Sequence, residues 1–169
     1  LLITIPLSYW LTFRQTPLKI VASSIVTLPL ILPPSVLGFY LLLILGPNGI
    51  IGKFCHAIGI DSFAFTFNGL IIASIIYSLP FVVQPIQNIF NNIGLAPLEV
   101  AATLRASPLD TFCNILLPQA KFGIIGAAIL GFAHTIGEFG MVLMIGGNIP
   151  GKTQVAAIQI YNHVEAYEY

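Results

Sequence analysis

The chain has 169 residues, of which 57% are hydrophobic and only 7% charged, and its formal net charge is zero. A water-soluble domain carries about 25% charged residues to cover its surface, so this composition, with a mean hydropathy of +0.95, excludes a soluble exterior and points to a chain solvated largely by lipid. The neutral balance gives no attraction for nucleic acid.

The first residues, "LLITIPLSYW", are apolar, do not begin with Met and carry no cleavage site. They read as the end of a helix begun earlier rather than as a signal peptide. No charged residue occurs from Ile20 to Leu45 or from Ser62 to Leu98, and after Lys121 only Glu138 interrupts an apolar run to Pro150. Each run exceeds the ~20 residues that a spanning helix needs. The predicted spans are 1–12 (partial), 20–45, 66–90 and 120–146. The expected fold is therefore an all-α integral membrane protein, a polytopic helical bundle with kinked spans and short cytoplasmic helices between them. Residues 1–169 are read as a single transmembrane domain truncated at both ends.

The connections at 13–19 and 91–121 hold Arg14, Lys19, Arg105 and Lys121, whereas those at 46–65 and 147–169 hold Lys53 and Lys152 against Asp61, Glu165 and Glu168. Basic residues favour the cytoplasmic side, which places 91–119 inside and 147–169 outside. Tyr9, Trp10 and Tyr40 fall near predicted span ends, where interfacial aromatics sit. Pro29, Pro33 and Pro34 in one run, and Pro80 and Pro85 in the next, each remove a backbone donor, so kinks are expected there.

In the fourth span Gly123, Ala127, Gly131 and Thr135 recur every four residues, a narrow face that admits a neighbouring backbone. The neighbour is either a helix of the same chain or a second copy. Glu138, near the outer end, is an intramembrane carboxylate and a functional suspect by default. It lies one turn from His134 and is able to pair with it, but a metal site needs a third ligand, and His56 and His163 fall in outer loops. The favoured role is structural or gating, with Glu138 bonded to backbone or to Ser/Thr of another helix. Cys55 and Cys113 match no metal or redox spacing.

"GGNIPGKT", Gly146–Thr153, satisfies the letter pattern of a phosphate-binding loop. It lies on the predicted outer side, and Pro150 lacks one of the N–H groups that such a cradle uses. Pro150 and Gly151 suit the middle positions of a type II turn. No apolar run ends in an aspartate to hold magnesium; Asp61 and Asp110 are the only two. An external turn including Asn148, Pro150 and Gly151 is expected, with no nucleotide or metal bound.

The longest inner connection, "APLEVAATLRASPLDTFCNILLPQAK", predicts two short helices. Pro97 and Glu99 suit the first helix's N-terminus. Ser107 caps the second, Pro108 takes its first position and Asp110 complements its dipole. Leu109, Phe112, Cys113 and Leu116 form an apolar stripe at helical spacing. Helices lying along the membrane surface and joined to two spans are placed to receive a push from a soluble partner; a plain helical linker is the alternative.

This segment resembles the coupling motif of ATP-binding-cassette importer permeases, E-A-A-x3-G-x9-I-x-L-P. Glu99, Ala101, Ile115, Leu117 and Pro118 fall at its spacing, while Val100 and Arg105 depart from its Ala and Gly. A glycine there signals positive φ, which costs a residue with a Cβ about 1 kcal/mol, so the turn is expected to be either distorted or less demanding in this chain. "LPLILPPSVLGFYLLLILGPNGIIG" (Leu28–Gly52), "GEFG" (Gly137–Gly140) and "GGNIPGKT" resemble the molybdate branch of these permeases, with its tungstate and sulfate relatives; the Asn-Ile-Pro-Gly-x-Thr form leans toward molybdate. The resemblance implies a helix preceding Leu1 and another following Tyr169. It also implies a second copy of the chain, two cytoplasmic ATPase subunits that hold ATP and Mg, and an external substrate-binding protein. The location implied is the cytoplasmic (inner) membrane of a bacterium or archaeon. The function implied is permease, not enzyme: alternating access, driven through Glu99, Ala101, Ala102, Arg105, Ser107, Pro108, Asp110, Ile115, Leu117 and Pro118.

A tetrahedral oxyanion wants N–H and O–H donors, and strong cationic binding would impede its release. The path is expected to be lined by Ser35, Ser74, Ser78 and Thr135, with Glu138 at a gate. Sulfate or tungstate remain alternatives to molybdate. A membrane scaffold without transport is the alternative of another class, and an intramembrane enzyme has only His134 and Glu138 to draw on.

Overall fold

The computed structural model describes residues 1–167, so Glu168 of the outer charge balance lies outside the described residues. In chain order the helices are α1 (Thr4–Phe13), α2 (Pro17–Ile31), α3 (Pro34–Leu45), α4 (Ile50–Ala57), α5 (Phe67–Ile93), α6 (Ala96–Thr103), α7 (Pro108–Thr111), a π-helical turn (Phe112–Leu116), α8 (Leu117–Gly137), α9 (Gly140–Gly146) and α10 (Ala156–Glu165). No strand occurs among the described residues. Among the described residues three helical stretches are long and apolar enough to cross a membrane: Pro34–Ala57, Phe67–Ile93 and Pro108–Gly137.

Two of the long apolar runs are not single helices. The run 20–45 is two helices, α2 and α3, parted at Leu32 and Pro33. A residue before proline is disfavoured in the α region; Pro33, which precedes Pro34, is extended at φ −56° and ψ 141°, and Pro34 opens α3. The run 120–146 is likewise broken, because α8 stops at Gly137 and α9 starts at Gly140. By contrast α5 continues through both Pro80 and Pro85.

The chain folds as two compact units, each discontinuous in the chain. One comprises Leu1–Thr27 and Leu79–Ala133. The other comprises Leu28–Ser78 and the residues from His134 onward. Helices α5 and α8 each contribute residues to both.

In the first unit Ile86, Phe90, Leu116, Ala120 and Ala127 form a buried cluster with Tyr9, Phe13 and Phe112 packed against it. The four-residue face of α8 lies here. A Cβ added at Gly123 would collide with Ile89, and one at Gly131 with Val82. That face therefore packs on α5 of the same chain, settling the alternative left open by the sequence. The opposite side of α8 presents Phe122, Ile129 and Phe132 outward, as lipid contact requires.

In the second unit α9 is held against α3 and α5. Leu37, Leu41, Leu45, Leu70, Met141 and Ile145 share its core. A Cβ at Gly38 would stand 2.9 Å from Met144 Cβ and 3.1 Å from Met141 Cα, so only glycine lets α3 approach so closely.

Candidate functional site

The connection between α5 and α8 folds as two short helices followed by a π turn, and its local chemistry follows from its residues. Pro97 and Glu99 lie in the first turn of α6. Ser107 adopts φ −69° and ψ 155°, its Oγ accepts the Asp110 N–H at 3.2 Å, and Pro108 opens α7. Asp110 Oδ1 in turn accepts from Asn114 Nδ2. Ala101 is buried, Ala102 is exposed, and Pro118 sits exposed in the first turn of α8 beside half-buried Leu117.

Arg105 answers the question its departure raises. Its φ is +58°, its N–H donates to Ala102 O at 3.0 Å, and the Ala106 N–H donates to Ala101 O at 3.1 Å. These are the two bonds of a Schellman motif, with Arg105 at the left-handed position. The turn is thus neither distorted nor relaxed; the arginine bears the conformational cost. Arg105→Gly is expected to raise stability by up to about 1 kcal/mol, the left-handed penalty less the added freedom of glycine in the unfolded chain. Arg105→Ala keeps the Cβ and should leave the thermal midpoint in detergent unchanged, which separates backbone strain from charge.

The predicted apolar stripe is corrected by the π turn. Between Phe112 and Leu116 the bonding shifts to the i→i+5 pattern, with the Leu117 N–H on Phe112 O. The wider turn rotates the register. Leu116 is buried and Phe112 and Ile115 half-buried, whereas Leu109 and Cys113 face outward. Phe112 meets the Tyr9 ring edge-on at 5.2 Å, and Tyr9 meets Phe90 of α5 at 6.5 Å. Aromatic contacts therefore join the inner segment to α1 and α5. Leu104 and Leu109, exposed by 77% and 74%, stand either side of Arg105 in the chain. An apolar, partly charged surface on a firmly seated element suits a protein contact.

The path candidates fall in the second unit. Ser78 and Thr135 are brought together, with their hydroxyl oxygens 2.8 Å apart, and His134 Nδ1 lies 3.2 Å from the same Ser78 oxygen. His134 was not among the residues expected to line the path; its place one residue before Thr135 was the available signal. Ser74 is half-buried one turn earlier on α5, and Ser35 is exposed in the first turn of α3. A Cβ on Gly140 would lie 3.7 Å from Ser35 N and 3.9 Å from Glu138 Oε1, so Ser35 and Glu138 are neighbours.

Glu138 stands in the break between α8 and α9, where its Oε1 accepts the Met141 N–H at 2.8 Å. It bonds to backbone of the next helix and satisfies one of the free donors at that helix's start. Glu138→Gln keeps the acceptor and is expected to cost no more than about 0.5 kcal/mol, while Glu138→Ala should cost about 1 kcal/mol. Transport should survive the first change; thermal midpoints and uptake in both variants check this.

The loop from Gly146 to Thr153 is an internally bonded turn. Lys152 N–H donates to Ile149 O at 3.1 Å across Pro150 and Gly151, and Gly151 has φ +71°. Asn148 Oδ1 accepts from Gln154 Nε2. Thr153 is buried; its Oγ1 donates to Gly146 O at 2.6 Å and accepts the Ile149 N–H at 3.0 Å. The hydroxyl that a phosphate-binding loop would offer to magnesium is thus committed to the turn itself. Among the described residues no group of three or more His, Cys, Asp or Glu stands together.

The family model described as "Binding-protein-dependent transport system inner membrane component" matches residues 4–166. The chain is 57% identical over 169 residues to the molybdenum transport system permease protein ModB of Azotobacter vinelandii, covering 100% of this chain and 75% of that protein. It is 35% identical over 157 residues to ModB of Haemophilus influenzae, covering 92% and 69%. With the sulfate transport system permease protein CysT of Synechococcus elongatus it shares 34% identity over 163 residues, covering 96% and 58%. With the family's model spanning nearly all of it, and its apolar helices and inner segment arranged as above, the chain belongs to the inner membrane components of binding-protein-dependent transport systems.

Proposed function

We propose that the chain is the permease subunit of an ATP-driven importer and that it passes molybdate into the cytoplasm by alternating access. The observation that carries this reading is the 57% identity to a molybdenum transport permease over the whole chain. Two copies of the permease, two cytoplasmic ATPase subunits and an external binding protein make up the working assembly in the inner membrane of a bacterium or archaeon. Nucleotide and magnesium belong to the ATPase subunits.

In this reading the ATPases grip the surface around Leu104, Arg105 and Leu109. Phe112 and Leu116 pack on the inner end of α5, and Leu117 continues directly into α8, so a displacement of the inner segment pulls on both long helices. Because α5 and α8 also supply Ser78 and Thr135, the stroke reaches the polar side chains along the helices themselves. Glu138 steadies the start of α9 at the outer break.

Uptake of radiolabelled molybdate by cells that lack their own system, expressing the complete transporter, tests the reading. ATP-dependent uptake that tungstate suppresses and sulfate does not is the expected result. Equal competition by sulfate would assign the chain to sulfate, and no uptake of any oxyanion would leave a scaffold.

A further inference from the structure

The cluster around Ser78 has properties that packing alone does not require. Two polar side chains converge on the Ser78 hydroxyl oxygen, with Thr135 Oγ1 at 2.8 Å and His134 Nδ1 at 3.2 Å. The His134 ring stands 4.9 Å from the Tyr77 ring. Ser78 is only 8% exposed, whereas His134 is half-buried and Thr135 exposed, so the cluster runs from a buried hydroxyl to an exposed one. At ~1.5 Å per residue, Ser78 sits roughly 17 Å from the first residue of α5 and roughly 22 Å from the last, near the helix's middle. Along α5, and along α8 beyond Lys121, His134 is the one side chain able to carry positive charge.

We infer that Ser78, His134 and Thr135 form the contact site for the oxyanion in transit, with His134 as one of its hydrogen-bond donors. This rests on the reading of the chain as an oxyanion permease. Ser78 Oγ has one hydrogen for two neighbours, so at least one neighbour donates to it. Rotation of the two hydroxyls, with the imidazole N–H, redirects these hydrogens to an anion's oxygens with little movement of heavy atoms. The oxygens of a tetrahedral dianion accept several such bonds, and charge-assisted ones are the stronger. A lysine or arginine at this depth would hold the ion too firmly to release it; hydroxyls and one imidazole do not. The ionisable neighbours are Tyr77 on α5 and Glu138, whose Oε1 is engaged by the Met141 N–H.

The test uses the complete transporter in proteoliposomes, with molybdate as the probe. Molybdate uptake and the ATP hydrolysis stimulated by loaded binding protein are measured side by side. His134→Leu and Ser78→Ala are each expected to cut uptake about tenfold, the loss of one charge-assisted hydrogen bond, while stimulated hydrolysis is unchanged. His134→Gln, which keeps a donor, should retain most of the uptake. Unaltered uptake in both variants overturns the site, as does a parallel fall of uptake and hydrolysis, which would make the cluster a helix fastening only. Wild-type protein that moves no oxyanion overturns the parent reading and the site with it; active wild type with unaffected variants overturns the site alone.

Discussion

Phe90→Ala is expected to lower the stability of the detergent-solubilised protein by about 3 kcal/mol, the low end of the range for removing a buried phenylalanine ring. Phe90 is 0% exposed, and it touches Phe13 at 6.1 Å and Tyr9 at 6.5 Å between ring centroids. The low end applies because lipid solvates an apolar ring almost as well as the protein interior does. What is lost is packing: the contacts of the ring and the aromatic pairs it completes. The same change should weaken ATP-driven uptake beyond the loss of stability, because Tyr9, held between Phe90 and Phe112, steadies the inner segment. Thermal midpoint and uptake are the two readouts. Phe90→Leu, which refills part of the cavity, should recover a share of both. A midpoint unchanged by Phe90→Ala would show that the cluster does not anchor the segment.

Thr153→Val should cost about 2–6 kcal/mol, although valine has nearly the same volume. The residue is 1% exposed, and its hydroxyl serves both Gly146 O and the Ile149 N–H. Valine strands two backbone groups at once, and each stranded group costs about 1–3 kcal/mol. Thr153→Ser preserves both bonds and should lose little. Lys152→Ala is expected to leave the thermal midpoint unchanged, because Lys152 is exposed. That contrast separates a structural turn from a nucleotide loop, in which lysine and threonine would matter together and for ATP binding rather than for folding.

Much of this arrangement was legible in the residues because the deciding interactions are local. Ser107 with Pro108 announces a capped helix start, and Pro150 with Gly151 announces the turn that closes across them. The four-residue recurrence of Gly123, Ala127 and Gly131 marks the packing face of α8, although only the structure shows that α5 fills it. The breaks were harder to read, because an apolar run meets the length requirement for a span whether or not its helix continues. The signals were present in Pro33-Pro34, and in the two glycines that flank Glu138 and Phe139. The outward turn of Leu109 and Cys113 had no such signal: a π turn is a shift in backbone bonding that side-chain periodicity does not record. Arg105 shows the reverse case. Its side chain argued against a left-handed backbone, yet the two bonds closing the end of α6 outweigh the cost of its Cβ.

Work is expected to enter the permease through the segment from Ala96 to Pro118. A benzoylphenylalanine photo-cross-linker in place of Leu109, irradiated in membranes that contain the whole transporter, tests this most directly. The predicted product is an adduct between this chain and the cytoplasmic ATPase subunit, with none formed from a cross-linker in place of Lys152. An adduct from position 109 to the external binding protein, or ATPase adducts from position 152 alone, would contradict it.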